Sequence, residues 1–444
     1  MTTDVIIALI ILFVLIEINL WLLYLLLKKA ASVSFRFLVI VIIATGLTCR
    51  ITFSIFTPAF YAPDEHAHFN YVKYLADNRS LPVQTNNTDT STHDYEYFQP
   101  PLYYLAMASV YWVTVQIFDS EAAAMYVMRL ISILLWLANV WFTLKILQRL
   151  AITDFFAKSV VMSMVCLLPT YAFLSSAINN DNLLLALGSV FLFVVVQQCS
   201  TMKHAALAGT LLGLLLLTKL SAIVYVAFFV ILTIVRLVRE PQNKPAILGS
   251  HILTLMLAAL IFAPWMARNV LVYGSLTALD AAIVQKEWPS LMVALQTTLE
   301  YMQRSFWAVS GVTNNVASIF PWLGRLVSYL AVGGLFYRSI RKRTILPQCG
   351  REHTGIFFAI ALATIVNIAL VFEYGILYDQ GQGRFLFPSL IPVSLIFAYG
   401  LKAFAIVDSS NSHITCAGFF AVYLIAFMIY SLFAFWQFYL SSIF

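Results

Sequence analysis

The chain has 444 residues, of which 61% are hydrophobic and only 10% charged, and its mean hydropathy is +0.88. A soluble globular protein carries roughly 25% charged residues, so composition excludes that class and predicts a polytopic, all-α membrane protein. In lipid, backbone polar groups can be satisfied only internally, in helices or closed barrels, and the long apolar runs exclude the alternation of a barrel strand. The net charge of +6 is read as Lys and Arg of cytoplasmic loops rather than as a nucleic-acid surface.

Apolar spans are predicted at 5–27, 37–57, 126–147, 158–178, 182–199, 205–218, 221–237, 248–267, 320–337, 354–377, 385–404 and 414–440, with 100–118 as a thirteenth candidate. At ~20 residues per span, that gives about 12–13 transmembrane helices in a single transmembrane domain over 1–444. The first run has no basic residue ahead of it and exceeds a signal-peptide core, so it reads as a retained span. The five cysteines (Cys49, Cys166, Cys199, Cys349, Cys416) are scattered without metal spacing and read as packing residues.

Orientation follows from the loop cations. These are Lys28, Lys29 and Arg36; Lys145, Arg149 and Lys158; Lys203; Arg236, Arg239 and Lys244; and Arg338, Arg341, Lys342 and Arg343. If 100–118 lies in the interface or re-enters, all five clusters share the cytoplasmic face. The opposite face then receives 58–125, the junction at 179–181, Lys219, the segment 268–319 and the turn 378–384. On this reading 58–125 is an external catalytic loop with interfacial helices, and 268–319 is a second external segment. Asn78 and Asn86 stand in N-x-S/T sequons, which matter only in a eukaryotic source.

Chemistry is expected around Pro63-Asp64-Glu65-His66-Ala67-His68, just beyond the second span, which itself carries Arg50 at membrane depth. Ionisable groups there are costly and tend to be functional. A carboxylate at a dry rim can accept a proton from an attacking hydroxyl. Of the neighbours Asp64 and Glu65, one should face the site and the other orient a helix terminus. Beside two carboxylates His66 and His68 could bind a divalent metal, but without further ligand spacing they are assigned to positioning the carboxylates or the acceptor, and no cofactor is expected. Tyr97-Phe98-Gln99-Pro100-Pro101-Leu102-Tyr103-Tyr104 marks a helix start rich in interfacial aromatics.

Asn179-Asn180-Asp181-Asn182 reads equally as a tight polar turn or a functional one. Lys219 separates two runs of ~14 residues, too short to cross a ~30 Å core independently, and could meet a lipid phosphate or snorkel. Arg268 ends a span on the same side. Arg384 opens another behind flexible glycines, placed for phosphate recognition. The lone Gly-x-Gly at 381–383 has no strand before it and supports no nucleotide fold.

In their order, these pieces resemble the GT-C superfamily of integral membrane glycosyltransferases. They are Arg50, Pro63-Asp64-Glu65, Gln99-Pro100-Pro101-Leu102-Tyr103-Tyr104, Arg129, Asn179-Asn180-Asp181, Gly213, Thr218-Lys219, Pro264-Trp265 with Arg268-Asn269, and Gly383-Arg384-Phe385. The likeness is to the protein O-mannosyltransferase and lipid A aminoarabinose transferase branch, in a Pro-Asp-Glu-x-x-His variant, over about 40–400. The resemblance implies an acidic residue of the first external loop as catalytic base or acceptor-positioning group, an interfacial helix after it, and inversion at the anomeric carbon. Two departures stand out: the extra span 5–27, and the lack of an Asp-x-Asp pair in the first loop.

The expected function is transfer of a sugar from a polyprenyl-phosphate donor to an acceptor (lipid, glycan or protein) on the non-cytoplasmic face. That face belongs to the inner membrane in a bacterium or archaeon and to the endoplasmic reticulum in a eukaryote. Asp64 and Glu65 are the expected catalytic pair, with His66 and His68 positioning. Arg384, Lys219 and Arg268 are expected on the donor phosphate, with Arg50, Asn180 and Asp181 in support. The rival readings are a transporter or flippase of a lipid-linked or anionic substrate, and a non-catalytic scaffold. Transporters place charges at the midplane and often show repeats, neither of which is evident here.

Overall fold

The computed structural model describes residues 3–28, 34–85, 92–198, 201–279, 285–308, 319–341 and 353–403, together with Ile425. The described residues are helical apart from turns and loops, in the order α1 (Thr3–Lys28), α2 (Phe35–Phe56), α3 (Glu65–Asn78), α4 (Leu102–Phe118), α5 (Glu121–Arg149), α6 (Phe155–Leu167), α7 (Pro169–Leu174) and α8 (Asp181–Val195). After these come α9 (Met202–Leu216), α10 (Ile223–Arg239), α11 (Lys244–Tyr273), α12 (Leu291–Trp307), α13 (Ile319–Ile340), α14 (Thr354–Tyr378) and α15 (Leu390–Leu401). Among the described residues, 6 helices are long and apolar enough to cross a membrane. The expected span at 414–440, and Cys199, Cys349, Cys416 and Asn86, lie outside the described residues, apart from Ile425.

Helix ends follow local chemistry. Ser34, Ser120, Asp154, Thr201 and Ser290 each cap the helix behind them by accepting a backbone N–H three residues on, which satisfies one of the orphan donors at a helix start. The stretch expected as one span, 158–178, is two helices. Pro169 opens α7 and has no N–H to continue the ladder of α6. Conversely, Pro264 sits inside α11 without ending it, and the helix runs on to a left-handed Gly274 with φ 70°. Arg268 is therefore helical, not part of a loop.

The main core gathers α2, α5, α6, α7, α8, α9, α10 and α15 around side chains such as Phe53, Trp136, Phe173, Phe191 and Leu212. Outward, α11 carries Leu248, Ile252, Met256 and Leu260 exposed at four-residue spacing, an apolar stripe suited to lipid contact. A second, smaller core joins α3 to α4 and α5 through Phe69, Tyr71, Tyr104, Tyr111 and Met125. Tyr71 stacks on Tyr104 with ring centroids 3.9 Å apart. This aromatic seam holds the polar segment after α2 down on the bundle, and α4 forms as one continuous 17-residue helix.

Candidate active site

Asp64 stands at the start of α3 in a left-handed conformation, φ 61° and ψ 2°. For a residue other than glycine this costs about 1–2 kcal/mol, and such strain persists where surrounding structure enforces it. Its side chain does not cap its own helix. Instead, Asp64 Oδ2 accepts a hydrogen bond from Arg384 Nη2 at 2.5 Å, across 320 residues of sequence. The Tyr95 hydroxyl donates to Oδ1 at 3.4 Å. The pair keeps an opening to the outside: Asp64 is 23% exposed and Arg384 9%.

Arg384 is placed by a close backbone approach. Gly383 N donates to Ser305 Oγ at 2.7 Å, and a Cβ on Gly383 would stand 2.3 Å from Phe306 N and 2.4 Å from Met302 O. Only glycine lets the 3₁₀ segment Gly383–Ser389 lie this tightly on α12. Arg384 Nε and Nη1 are buried and make no hydrogen bond, so the guanidinium presents unused donors beside its carboxylate partner.

Beside this pair, Lys219 Nζ meets Asp181 Oδ1 at 2.6 Å. Lys219 occupies the break between α9 and the 3₁₀ turn Leu220–Ala222, and Asp181 is the first residue of α8, where the helix dipole favours an anion. Asp181 Oδ2 and Asn180 Oδ1 are buried without a partner. Asn180 Nδ2 donates to the Tyr104 hydroxyl at 3.2 Å, and that hydroxyl lies 2.8 Å from His68 Nδ1. The Tyr104 hydroxyl thus links Asn180 Nδ2 to His68 Nδ1. Burial pushes the His68 imidazole down to about 3, so His68 is neutral at any working pH.

The sequence reading missed Glu96. It lies in the loop ahead of α4, with Oε2 buried and without a hydrogen-bond partner. Burial first, and the Asp64 charge second, push its carboxyl up to about 8. Burial is the largest influence on Asp64 and acts to raise it, but the Arg384 guanidinium together with the other groups around it, Lys219 among them, holds Asp64 below the usual carboxylate range. The available signal was an acidic residue between two aromatics, Tyr95 and Tyr97, just before Gln99-Pro100-Pro101.

Other expected site residues lie elsewhere. Glu65, expected in the catalytic pair, is wholly buried in a two-pronged ion pair with Arg129, at 2.8 Å to Nε and 2.6 Å to Nη2. Arg129 also donates to the carbonyls of Ser54, Thr57 and Pro58, and Glu65 accepts from Ile178 N at 3.1 Å. The pair ties the end of α2 to α3, α5 and the turn before α8, a structural task. Adjacent residues at a helix start project in different directions, which separates the two carboxylates.

His66 faces away from His68, stacked between Phe60 at 4.3 Å and His93 at 3.9 Å. Arg268 donates to Pro82 O and lies over the Trp265 ring at 4.7 Å. It braces the segment after α3 and makes no contact with the Asp64–Arg384 pair. Arg50 is fully buried, donates to Ser175 Oγ and to the carbonyls of Gly46 and Cys166, and stacks on Trp136 at 3.8 Å. It clamps α2 to α6 and α7.

Among the described residues, Asp64, His68 and Glu96 form one group whose ligand atoms lie within 4.8 Å of one another. The donor set fits a divalent cation poorly. Arg384 already holds Asp64, so a cation there would have to displace the guanidinium from Oδ2.

The residues from 74 to 393 match the model of a family described as "Predicted membrane protein (DUF2142)". The chain belongs to this family. The matched stretch includes Glu96, Asp181, Lys219 and Arg384 and begins after Asp64. No curated protein matches the sequence.

Solved structures similar to this family member include the archaeal oligosaccharyltransferase AglB from Archaeoglobus fulgidus in complex with an inhibitory peptide and a dolichol-phosphate. The identity is 12% and the TM-score 0.49, over 91% of this chain and 55% of that one. The oligosaccharyltransferase of the same organism tethered to an acceptor peptide matches at 12% identity and TM-score 0.47, over 92% and 56%. This chain therefore spans about half the length of those proteins. At this level of likeness the fold description rests on the chain's own helices.

Proposed function

We propose that the protein is a membrane glycosyltransferase that takes a sugar from a polyprenyl-phosphate donor and transfers it to an acceptor hydroxyl on the non-cytoplasmic side. The observation that carries this reading is the Asp64–Arg384 pair. A partly open carboxylate adjoins a buried guanidinium with two unused N–H donors, and a second buried cation, the Lys219 ammonium, also acts to lower that carboxylate.

A lipid phosphodiester would take the spare Arg384 donors, with Lys219 adding positive potential. Fixed cations where negative charge develops are a major source of rate enhancement, on the order of 3–4 kcal/mol per well-placed group. As the bond from the anomeric carbon to the phosphate oxygen breaks, charge grows on the phosphate and both cations gain attraction to it. Asp64 orients the incoming acceptor on the opposite side of the sugar, and attack from that side inverts the anomeric centre. His68, held neutral and hydrogen-bonded to Tyr104, stands beside the two carboxyls and helps to position them.

The test is release of undecaprenyl phosphate from a panel of undecaprenyl-phosphate-linked hexoses and pentoses by the purified protein, with a membrane extract as acceptor source. Asp64→Asn should lower turnover by about 10²-fold or more. Arg384→Ala should lower it by about 10²–10³-fold. Near wild-type turnover in Asp64→Asn would remove the central carboxylate from the reaction.

A further inference from the structure

Two carboxyl groups meet at this site, and sugar transfer to a hydroxyl releases one proton. Resting on the transfer reading above, we propose that Glu96, not Asp64, takes that proton, while Asp64 stays ionised as the partner of Arg384 and the acceptor's orienting group. In the step, the acceptor oxygen forms its bond to the anomeric carbon. The bond from that carbon to the phosphate oxygen breaks, its electron pair leaves on the lipid phosphate, and the hydroxyl proton passes to a Glu96 carboxylate oxygen.

Hydrogen bonding separates the two groups. Both Asp64 oxygens are engaged, Oδ2 by a guanidinium at 2.5 Å and Oδ1 by the Tyr95 hydroxyl at 3.4 Å. A carboxylate held this way is a weak proton acceptor. Glu96 has an oxygen, Oε2, that is buried and accepts nothing. The two carboxyls and His68 lie with ligand atoms within 4.8 Å of one another, so a hydroxyl oriented by one carboxylate is within reach of the other. Two carboxyls this close do not both ionise readily, and the guanidinium decides which keeps its charge.

The groups facing Glu96 are Asp64 and His68 on α3, Tyr95 beside it, Tyr104 on α4, Lys219 after α9, Tyr374 on α14 and Arg384. Their balance leaves Glu96 titrating at about 8. That is close to the pH at which a general base combines sufficient ionised fraction with useful basicity. Asp64, held below the carboxylate range, has far less driving force.

The experiment has two arms on the full-length protein. In the first, kcat/KM for undecaprenyl phosphate release from the donor panel is followed from pH 5 to 10. The wild type should rise about tenfold per pH unit to a plateau with a midpoint near 8. Glu96→Gln should lose about 10²-fold or more and lose the rise. A wild-type rate that is flat across this range, or a Glu96→Gln profile with the same midpoint, overturns the proposal.

The second arm uses no substrate. Infrared difference spectra should show the C=O stretch of a protonated carboxylic acid that disappears with a midpoint near 8 in the wild type and is missing in Glu96→Gln. If that band is absent at pH 6, Glu96 is already ionised and the proposal fails. If the band titrates as stated but no donor in the panel is turned over, the transfer reading fails instead. One equivalent of divalent cation retained by the wild type and lost in Glu96→Gln would make the cluster a metal site and also overturn the assignment.

Discussion

Asp64 and Glu65 are chemically similar neighbours with different surroundings, and the difference is testable by substitution. Glu65 and Arg129 form a fully buried pair, and removing one partner of such a pair leaves an uncompensated buried charge, at a cost of about 3–5 kcal/mol. Glu65→Gln should therefore lower the thermal unfolding midpoint markedly, whereas Asp64→Asn should change it little while removing turnover. Equal, small shifts in both variants would contradict the division drawn here.

Glu96 gives a second residue-scale outcome. Its carboxyl is raised from 4.5 to about 8 in the folded protein, so its contribution to stability is full below the unfolded value and is lost as pH rises through about 8. The unfolding midpoint should fall across that window in the wild type and fall less in Glu96→Gln, which a pH series of thermal melts would read. Asp64 and Arg384 were legible in the sequence because a charge is conspicuous in a charge-poor chain. The state of Glu96 was not, because it depends on burial and on neighbours from five other segments. The partnership of Lys219 with Asp181 was hidden for the same reason.

At the scale of elements, the site is made where helices start, stop or break. Asp64 begins α3, Asp181 begins α8, Lys219 fills the gap after α9, and Arg384 lies in the 3₁₀ segment before α15. Helix breaks were partly legible: the short runs flanking Lys219 marked one. The break at Leu168–Pro169 was overlooked within an apolar run, and the extension of α11 past Pro264 placed Arg268 in a helix instead of a loop. Gly383 is the clearest element-scale probe, because a methyl group there would meet the backbone of α12. Gly383→Ala should force the 3₁₀ segment outward, cost about 1–3 kcal/mol of stability, and lower turnover as Arg384 moves away from Asp64. Unchanged turnover in a destabilised Gly383→Ala protein would mean that Arg384 placement is not what this contact secures.

For the whole molecule, the loop cations led to the expectation that segments far apart in sequence share one end of the bundle. The structure brings 64, 180, 181, 219 and 384 together, and labelling reads the side of the membrane on which they sit. Exposed positions suit this: cysteines replacing Arg79 and Lys244 should react with an impermeant thiol reagent from opposite sides of sealed vesicles. Reaction of both from one side would remove the basis for the proposed orientation.

The account's central claim is that Arg384 is the donor-phosphate cation and Asp64 its resting partner. Binding of undecaprenyl phosphate to the purified protein tests it most directly. Arg384→Ala should weaken binding by about tenfold or more, since a charge-assisted hydrogen bond contributes roughly 1.5–3 kcal/mol. Asp64→Asn, which frees the guanidinium, should bind at least as tightly as the wild type. Wild-type affinity in Arg384→Ala, or equal loss in both variants, would contradict the account.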